Sequence, residues 1–162
     1  MLIDLKKYFS GEDISQAIDY TVDLSEVEID GCKPFVTPVQ VKGSIRSFAS
    51  SAELNVEVRY AYSMPCNRCL TLTRKEFCHN ISHVIVNKLN DFEDYIVIEG
   101  DELDLDELIY SDIILLTPTK FLCKEDCKGL CPTCGKNLNE GDCACAKQQT
   151  DPRLEALRQL LQ

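Results

Sequence analysis

The sequence predicts an α+β fold: an antiparallel β-rich meander or partial barrel, a covering helix, and a C-terminal module organised by cysteine. Three observations predict it. Apolar and polar residues alternate at period two through much of residues 21–86, apolar residues recur at helical spacing over 104–116, and cysteines crowd into 123–145. At 162 residues the chain holds one ordinary domain and a small appendage, divided here as a body of residues 1–119 and a module of residues 120–162.

Within the body, Val39, Val41, Gly43 and Ile45 alternate with Gln40, Lys42, Ser44 and Arg46. Leu54, Val56, Val58, Tyr60 and Tyr62 alternate with Asn55, Glu57, Arg59 and Ala61. Successive strand side chains point to opposite faces, so these are antiparallel strands covered on one face only. A third stretch, residues 70–86, is rich in Thr, Phe, Ile and Val. Ser and Ala in 48–52, and Pro and Asn in 64–67, suit hairpin turns between the three. A short strand at 95–98 is expected within an acidic stretch, 91–102.

The covering helix starts at Asp104. Glu107 follows at capping-box spacing, with Asp in the place of Ser or Thr. Leu105, Leu108, Ile109, Ile113 and Leu116 form its apolar stripe, and Pro118 ends it. A second helix is expected after Asp151 as N-cap and Pro152 at the first position, with Leu154, Leu157, Leu160 and Leu161 on one face. A helix that short needs a docking surface, on the body or on a partner.

Composition narrows the function. Hydrophobic content of 44% suits a folded chain, and no run approaches the roughly 18 apolar residues of a membrane span. The start, Met1-Leu2-Ile3-Asp4-Leu5-Lys6-Lys7, lacks the apolar segment of a signal peptide, so a cytoplasmic address is expected. Formal net charge is −10, which disfavours phosphate binding by the whole surface. Asp91, Glu93, Asp94, Glu99, Asp101, Glu102, Asp104, Asp106, Glu107 and Asp112 account for that entire excess, with no Lys or Arg between Lys88 and Lys120. These acids form either a solvated helix start or a docking face for a basic partner, and a basic patch elsewhere is compatible with the sum.

In a reducing compartment, clustered thiols hold metal more often than they form disulfides. Cys131-Pro132-Thr133-Cys134-Gly135, followed by Cys143 and Cys145, supplies four thiolates for one tetrahedral Zn²⁺. Such a site has no position left for substrate and is structural, which makes the module zinc-ribbon-like. Cys66-Asn67-Arg68-Cys69 is a second pair that needs two more ligands. Cys123 and Cys127 are the unused candidates for a second zinc site; the competing assignment gives Cys127 to the downstream thiols and leaves Cys123 free. Arg68, Lys124, Lys128 and Lys136 flank these ligands and could offset the charge of two zinc–thiolate sites or contact RNA phosphate. Cys32 and Cys78 stand alone and read as buried small hydrophobes. His79 and His83 share a strand face with no further ligands around them.

A redox role for Cys66 and Cys69 would need a helix N-terminus in a βαβ unit, and none is apparent. There is no Gly-rich phosphate loop, nucleophile motif or pair of spaced catalytic carboxylates, so neither catalysis nor a small-molecule substrate is expected. The cysteine module alone would also suit a zinc-ribbon transcription regulator that binds duplex DNA or polymerase.

Residues 122–139 (Leu-Cys-Lys-Glu-Asp-Cys-Lys-Gly-Leu-Cys-Pro-Thr-Cys-Gly-Lys-Asn-Leu-Asn), with Cys143-Ala144-Cys145 and Asp151-Pro152-Arg153-Leu154, resemble the C-terminal signature of the YceD family. Pro65-Cys66-Asn67-Arg68-Cys69-Leu70 is similar to that family's internal cysteine pair. The resemblance implies a bacterial or plastid protein needed for large-subunit (23S) ribosomal RNA synthesis, processing or stability, and so a role in ribosome biogenesis. It implies ribosomal RNA or a large-subunit assembly intermediate as partner, reached directly or through a basic ribosomal protein. Oligomeric state is left open.

Overall fold

The structure, a computed structural model, describes residues 1–10, 12–49, 51–87, 95–98 and 100–145. The chain forms two compact units: Met1–Met64 with Leu72–Phe121, and Pro65–Thr71 with Leu122–Gln162. Sequence placed the division between residues 119 and 120; the units part at Phe121, and the short segment Pro65–Thr71 groups with the C-terminal stretch.

The first unit is built on five strands, β2 (Ser15–Val22), β3 (Val39–Phe48), β4 (Ser51–Pro65), β5 (Leu72–Val86) and β6 (Tyr95–Val97), in spatial order β2-β3-β4-β5-β6. Pairing of β2 with β3 and of β3 with β4 is antiparallel, with Tyr20 opposite Val41, Val41 opposite Val58, and Ile45 opposite Leu54. This register stacks the apolar members of each alternating run on one face. Val39, Val41, Ile45, Leu54 and Val58 are wholly buried, while Gln40, Lys42, Arg46, Asn55 and Arg59 are exposed on the other face. The strands end at β2 and β6 and do not close among the described residues, so the sheet is open and mixed, with no closed barrel.

Helix α2 (Leu105–Leu116) contributes Leu105, Ile109 and Ile113 to the same core. Its N-cap is Asp104, whose carboxylate accepts the backbone N–H groups of Asp106 and Glu107. Asp106 and Glu107 lie in the first turn, where the helix dipole favours negative charge. At the other end Thr117 turns extended before Pro118, and its hydroxyl donates to Ile113 O at 2.7 Å. Tyr60 OH, from β4, lies 3.2 Å from that hydroxyl, and His83 Nε2, from β5, lies 2.8 Å from Asp112 Oδ2. The helix therefore lies over the apolar face of the sheet, as expected of a covering helix. Of its predicted stripe, Leu108 is half-buried and Leu116 is exposed.

Two parts of this unit left little trace in the sequence. Strands β1 (Leu2–Asp4) and β7 (Glu102–Asp104) pair antiparallel in a separate small sheet, and the short helix α1 (Lys6–Phe9) follows β1. Three-residue strands are too short to register a period. Leu5 and Tyr8 are nevertheless fully buried. Strand β6 appears where the apolar run at 95–98 placed it, but it pairs parallel with β5, Ile85 opposite Ile96. The helix expected after Asp151 lies outside the described residues.

Gly43 on β3 lies opposite Val56 on β4. A Cβ there would fall 2.6 Å from Val56 Cα and collide with the Asn55 carbonyl oxygen. Both obstacles are backbone, so the strands themselves would have to separate. Gly43→Ala should therefore destabilise the protein by about 1–3 kcal/mol, read as a lower urea midpoint at unchanged m-value.

Candidate metal centres

The second unit brings the eight clustered cysteines into two groups. Cys66, Cys69, Cys123 and Cys127 form a first centre, and Cys131, Cys134, Cys143 and Cys145 a second. Within each group all Sγ atoms lie within 4.8 Å of one another, and all ten cysteines are free thiols. Cys127 thus lies with the internal pair and Cys123 rather than with the downstream thiols.

The separations suit a metal. Four sulfurs at about 2.3 Å from one Zn²⁺ in a tetrahedron are about 3.8 Å apart. Cys66 Sγ and Cys127 Sγ are 3.8 Å apart, and Cys69 Sγ and Cys123 Sγ 3.6 Å apart. A bound dication would neutralise thiolate charge and cross-link the chain at each centre, leaving no open coordination position.

Both two-residue-spaced pairs use one local turn. Leu70 N–H donates to Cys66 O at 2.9 Å, and Gly135 N–H donates to Cys131 O at 2.8 Å. In each turn the residue after the second cysteine is left-handed, with φ of 59° at Leu70 and 72° at Gly135. This curl points both thiols of a pair to one side. Glycine adopts that φ without steric cost, whereas Leu70 sits there at some strain. Its side chain is exposed, so no packing compensates.

Neighbouring groups polarise the thiols. Burial pushes Cys66 up, but backbone N–H groups of Arg68, Cys123 and Cys69 outweigh it and bring the thiol down to about 6. Cys131 falls to about 6 through the backbone N–H groups of Cys134 and Thr133 and its contact with Cys143. The Thr71 hydroxyl, 3.4 Å from Cys69 Sγ, lowers Cys69. By contrast, burial and the facing Cys127, Cys69 and Cys66 thiols drive Cys123 up to about 12. Cys145 is likewise driven to about 12, by Cys134 and then by burial. Four sulfurs this close cannot all be anionic unless a cation sits among them. The donor set therefore fits Zn²⁺.

Among the flanking cations, Arg68 reaches the first centre. Its guanidinium donates to Cys127 O at 2.9 Å, and its backbone N–H lies 3.5 Å from Cys66 Sγ. Lys136 Nζ donates to Asp142 O beside the second centre, and Lys124 pairs with Asp126 at 3.9 Å. Sequence reasoning missed Asn139, whose Nδ2 lies 3.3 Å from Cys127 Sγ.

The isolated residues fall elsewhere. Cys32 is half-buried against the core of the first unit. Cys78 is exposed, contrary to its reading as a buried hydrophobe, because its place in β5 puts it on the polar face of the sheet. His79 stacks on Phe77 at 5.8 Å on the apolar face, and His83 pairs with Asp112. No metal-ligand group includes either histidine among the described residues. Cys66 and Cys69 stand in a turn between strands, and Cys66 is fully buried.

Two zinc ions per chain are expected by native mass spectrometry, falling to one in Cys66→Ser and to one in Cys131→Ser. In the loaded protein Cys78 should react with iodoacetamide well before any of the eight clustered cysteines, and chelation should erase that difference.

The family described as large ribosomal RNA subunit accumulation protein YceD matches residues 54–161, a range that takes in all eight clustered cysteines. The uncharacterized protein YlbN of Bacillus subtilis (strain 168) is 28% identical over 151 residues, covering 88% of this chain and 86% of the relative. The chloroplastic large ribosomal RNA subunit accumulation protein YCED homolog 1 of Arabidopsis thaliana is 25% identical over 150 residues. That match covers 73% of this chain and 47% of the plant protein. No solved structure matches the chain. With the match running through the long strands, the covering helix and both sulfur centres, the chain belongs to the YceD family.

Proposed function

We propose that this protein is a non-catalytic zinc-binding factor required for accumulation of large-subunit 23S ribosomal RNA, acting in the cytoplasm during ribosome biogenesis. The observation that carries this reading is the family match over residues 54–161. The plant relative carries the same role in its name. The sulfur centres support the zinc part, because closed four-thiolate sites hold structure and leave no position for a substrate.

The partner is ribosomal RNA or a large-subunit assembly intermediate, and charge favours contact through a basic ribosomal protein. The first unit exposes Asp101, Glu102, Asp104 and Glu107 on β7, α2 and the residue before them, without a Lys or Arg from 89 to 119. Such a face repels phosphate and steers basic protein surfaces.

The test is the ratio of 23S to 16S ribosomal RNA in cells of the source organism depleted of this protein. A selective fall in 23S RNA is expected, together with co-sedimentation of the protein with large-subunit precursor particles at low salt. An unchanged ratio with no co-sedimentation would overturn the reading and favour a zinc-ribbon regulator of transcription.

A further inference from the structure

Asn139 lies in the loop between Cys134 and Cys143, so its place in the chain assigns it to the second centre. Its side chain serves the first. Asn139 Nδ2 is within N–H···S reach of Cys127 Sγ at 3.3 Å and lies 2.8 Å from Asn137 Oδ1. Asn139 Oδ1 accepts the backbone N–H of Lys128, next to Cys127, at 2.9 Å. One half-buried amide therefore touches both the ligand atom and the backbone that carries it.

The loop is tied to the stretch joining the two centres. Leu138 N–H donates to Gly129 O at 2.9 Å, and Cys131 N–H donates to Lys136 O at 2.8 Å. Asn139 N–H donates to Asn137 Oδ1 at 3.1 Å, and Leu130 bridges to Asn137. Closing the second centre fixes this loop at both ends, through Cys134 before Asn139 and Cys143 after it. Without that closure, holding the amide against Cys127 would cost backbone conformational entropy with only a few hydrogen bonds to offset it.

We propose that Asn139 is a positioning residue that links the two centres: the second centre orders its loop, and the ordered amide stabilises the Cys127 thiolate of the first. The proposal rests on the reading that both centres hold Zn²⁺. An N–H donor to a ligating sulfur stabilises the anion and orients it toward the metal, so its loss weakens binding. Linkage is reciprocal, so filling the first centre tightens the second by the same factor.

The experiment uses the full chain, with zinc affinities from competition against a chromophoric chelator and stoichiometry from native mass spectrometry. Asn139→Asp is the informative variant. It keeps the shape and the oxygen that accepts from Lys128, but places a second oxygen where the N–H faced sulfur. Asn139→Asp is expected to weaken the first centre by about 10- to 100-fold with the second still loaded, and Asn139→Ala by a comparable factor. Cys134→Ser, which opens the second centre, should weaken the first to a similar extent. Adding Asn139→Asp to Cys134→Ser should then cost the first centre little more, because the two changes remove one interaction. In the cobalt(II) form, the sulfur-to-metal charge-transfer band of the first centre should move to lower energy in Asn139→Asp, a response that a merely structural residue would not give. Wild-type affinity with an unmoved band in Asn139→Asp overturns the proposal, as does a Cys134→Ser chain whose first centre binds zinc normally. A wild-type chain that takes up no zinc overturns the metal reading itself.

Discussion

The second unit depends on the convergence of four sulfurs drawn from stretches 54 and 61 residues apart in sequence. Among its described residues the buried apolar cluster is small: Cys66, Cys69 and Cys127, with Leu122, Cys123 and Leu130 partly buried against them. A segment this small cannot bury enough apolar surface to offset its chain entropy, and a metal is the usual substitute for the missing core. With a metal bound the sulfurs would be both ligands and core, and the free energy of metal binding would become free energy of folding. The left-handed turns, the Arg68 bond to Cys127 O and the Asn139 contact all serve to aim or shield those sulfurs.

The first unit solves its stability problem in the ordinary way. Its core is a continuous apolar layer between the sheet and α2, with Leu5 and Tyr8 added from the N-terminus. Aromatic rings gather on the same face: Tyr60 stacks on Phe77 at 5.4 Å, and Phe35 meets Tyr62 edge-on at 5.5 Å. A few polar groups are placed within this layer, and most have partners. The Tyr60 hydroxyl meets Thr117, and the His83 ring meets Asp112. Among the described residues the His79 Nε2 atom has no hydrogen-bond partner, and the ring stacks on Phe77.

What could be read in the residues follows from how local each signal is. Strands β3 and β4 were legible because the alternation over residues 39–46 and 54–62 leaves a clear period. The start of α2 was legible because a cap is written in adjacent residues. The need of Cys66 and Cys69 for two further ligands was legible, since a pair cannot close a tetrahedron alone, but the residues left two partitions of Cys123 and Cys127 open. Long-range arrangement was not legible. The parallel pairing of β6 depends on where the chain re-enters the sheet, and the β1–β7 pairing joins residues a hundred positions apart. Cys78 was misplaced because the apolar members of the 70–86 stretch do not alternate cleanly, so the face of each residue was ambiguous. The matching turn at Leu70 was hidden because the usual glycine is absent, and Asn139 was hidden because its partner belongs to the other centre.

The charge of the second unit bears on what it can touch. Its described residues carry Arg68, Lys124, Lys128 and Lys136 against Glu125, Asp126, Glu140 and Asp142, so side chains outside the centres balance. Each filled four-thiolate zinc centre adds about two negative charges. The loaded unit is then net negative, and three of its cations are already engaged, Arg68 with the Cys127 carbonyl, Lys124 with Asp126 and Lys136 with the Asp142 carbonyl. Phosphate recognition needs cations that are free to release counterions, and this surface offers few. Both units therefore point the same way. For the proposed role in ribosomal RNA accumulation, a chain acidic in its body and still net negative at filled sulfur centres is better matched to a basic protein surface than to the RNA backbone.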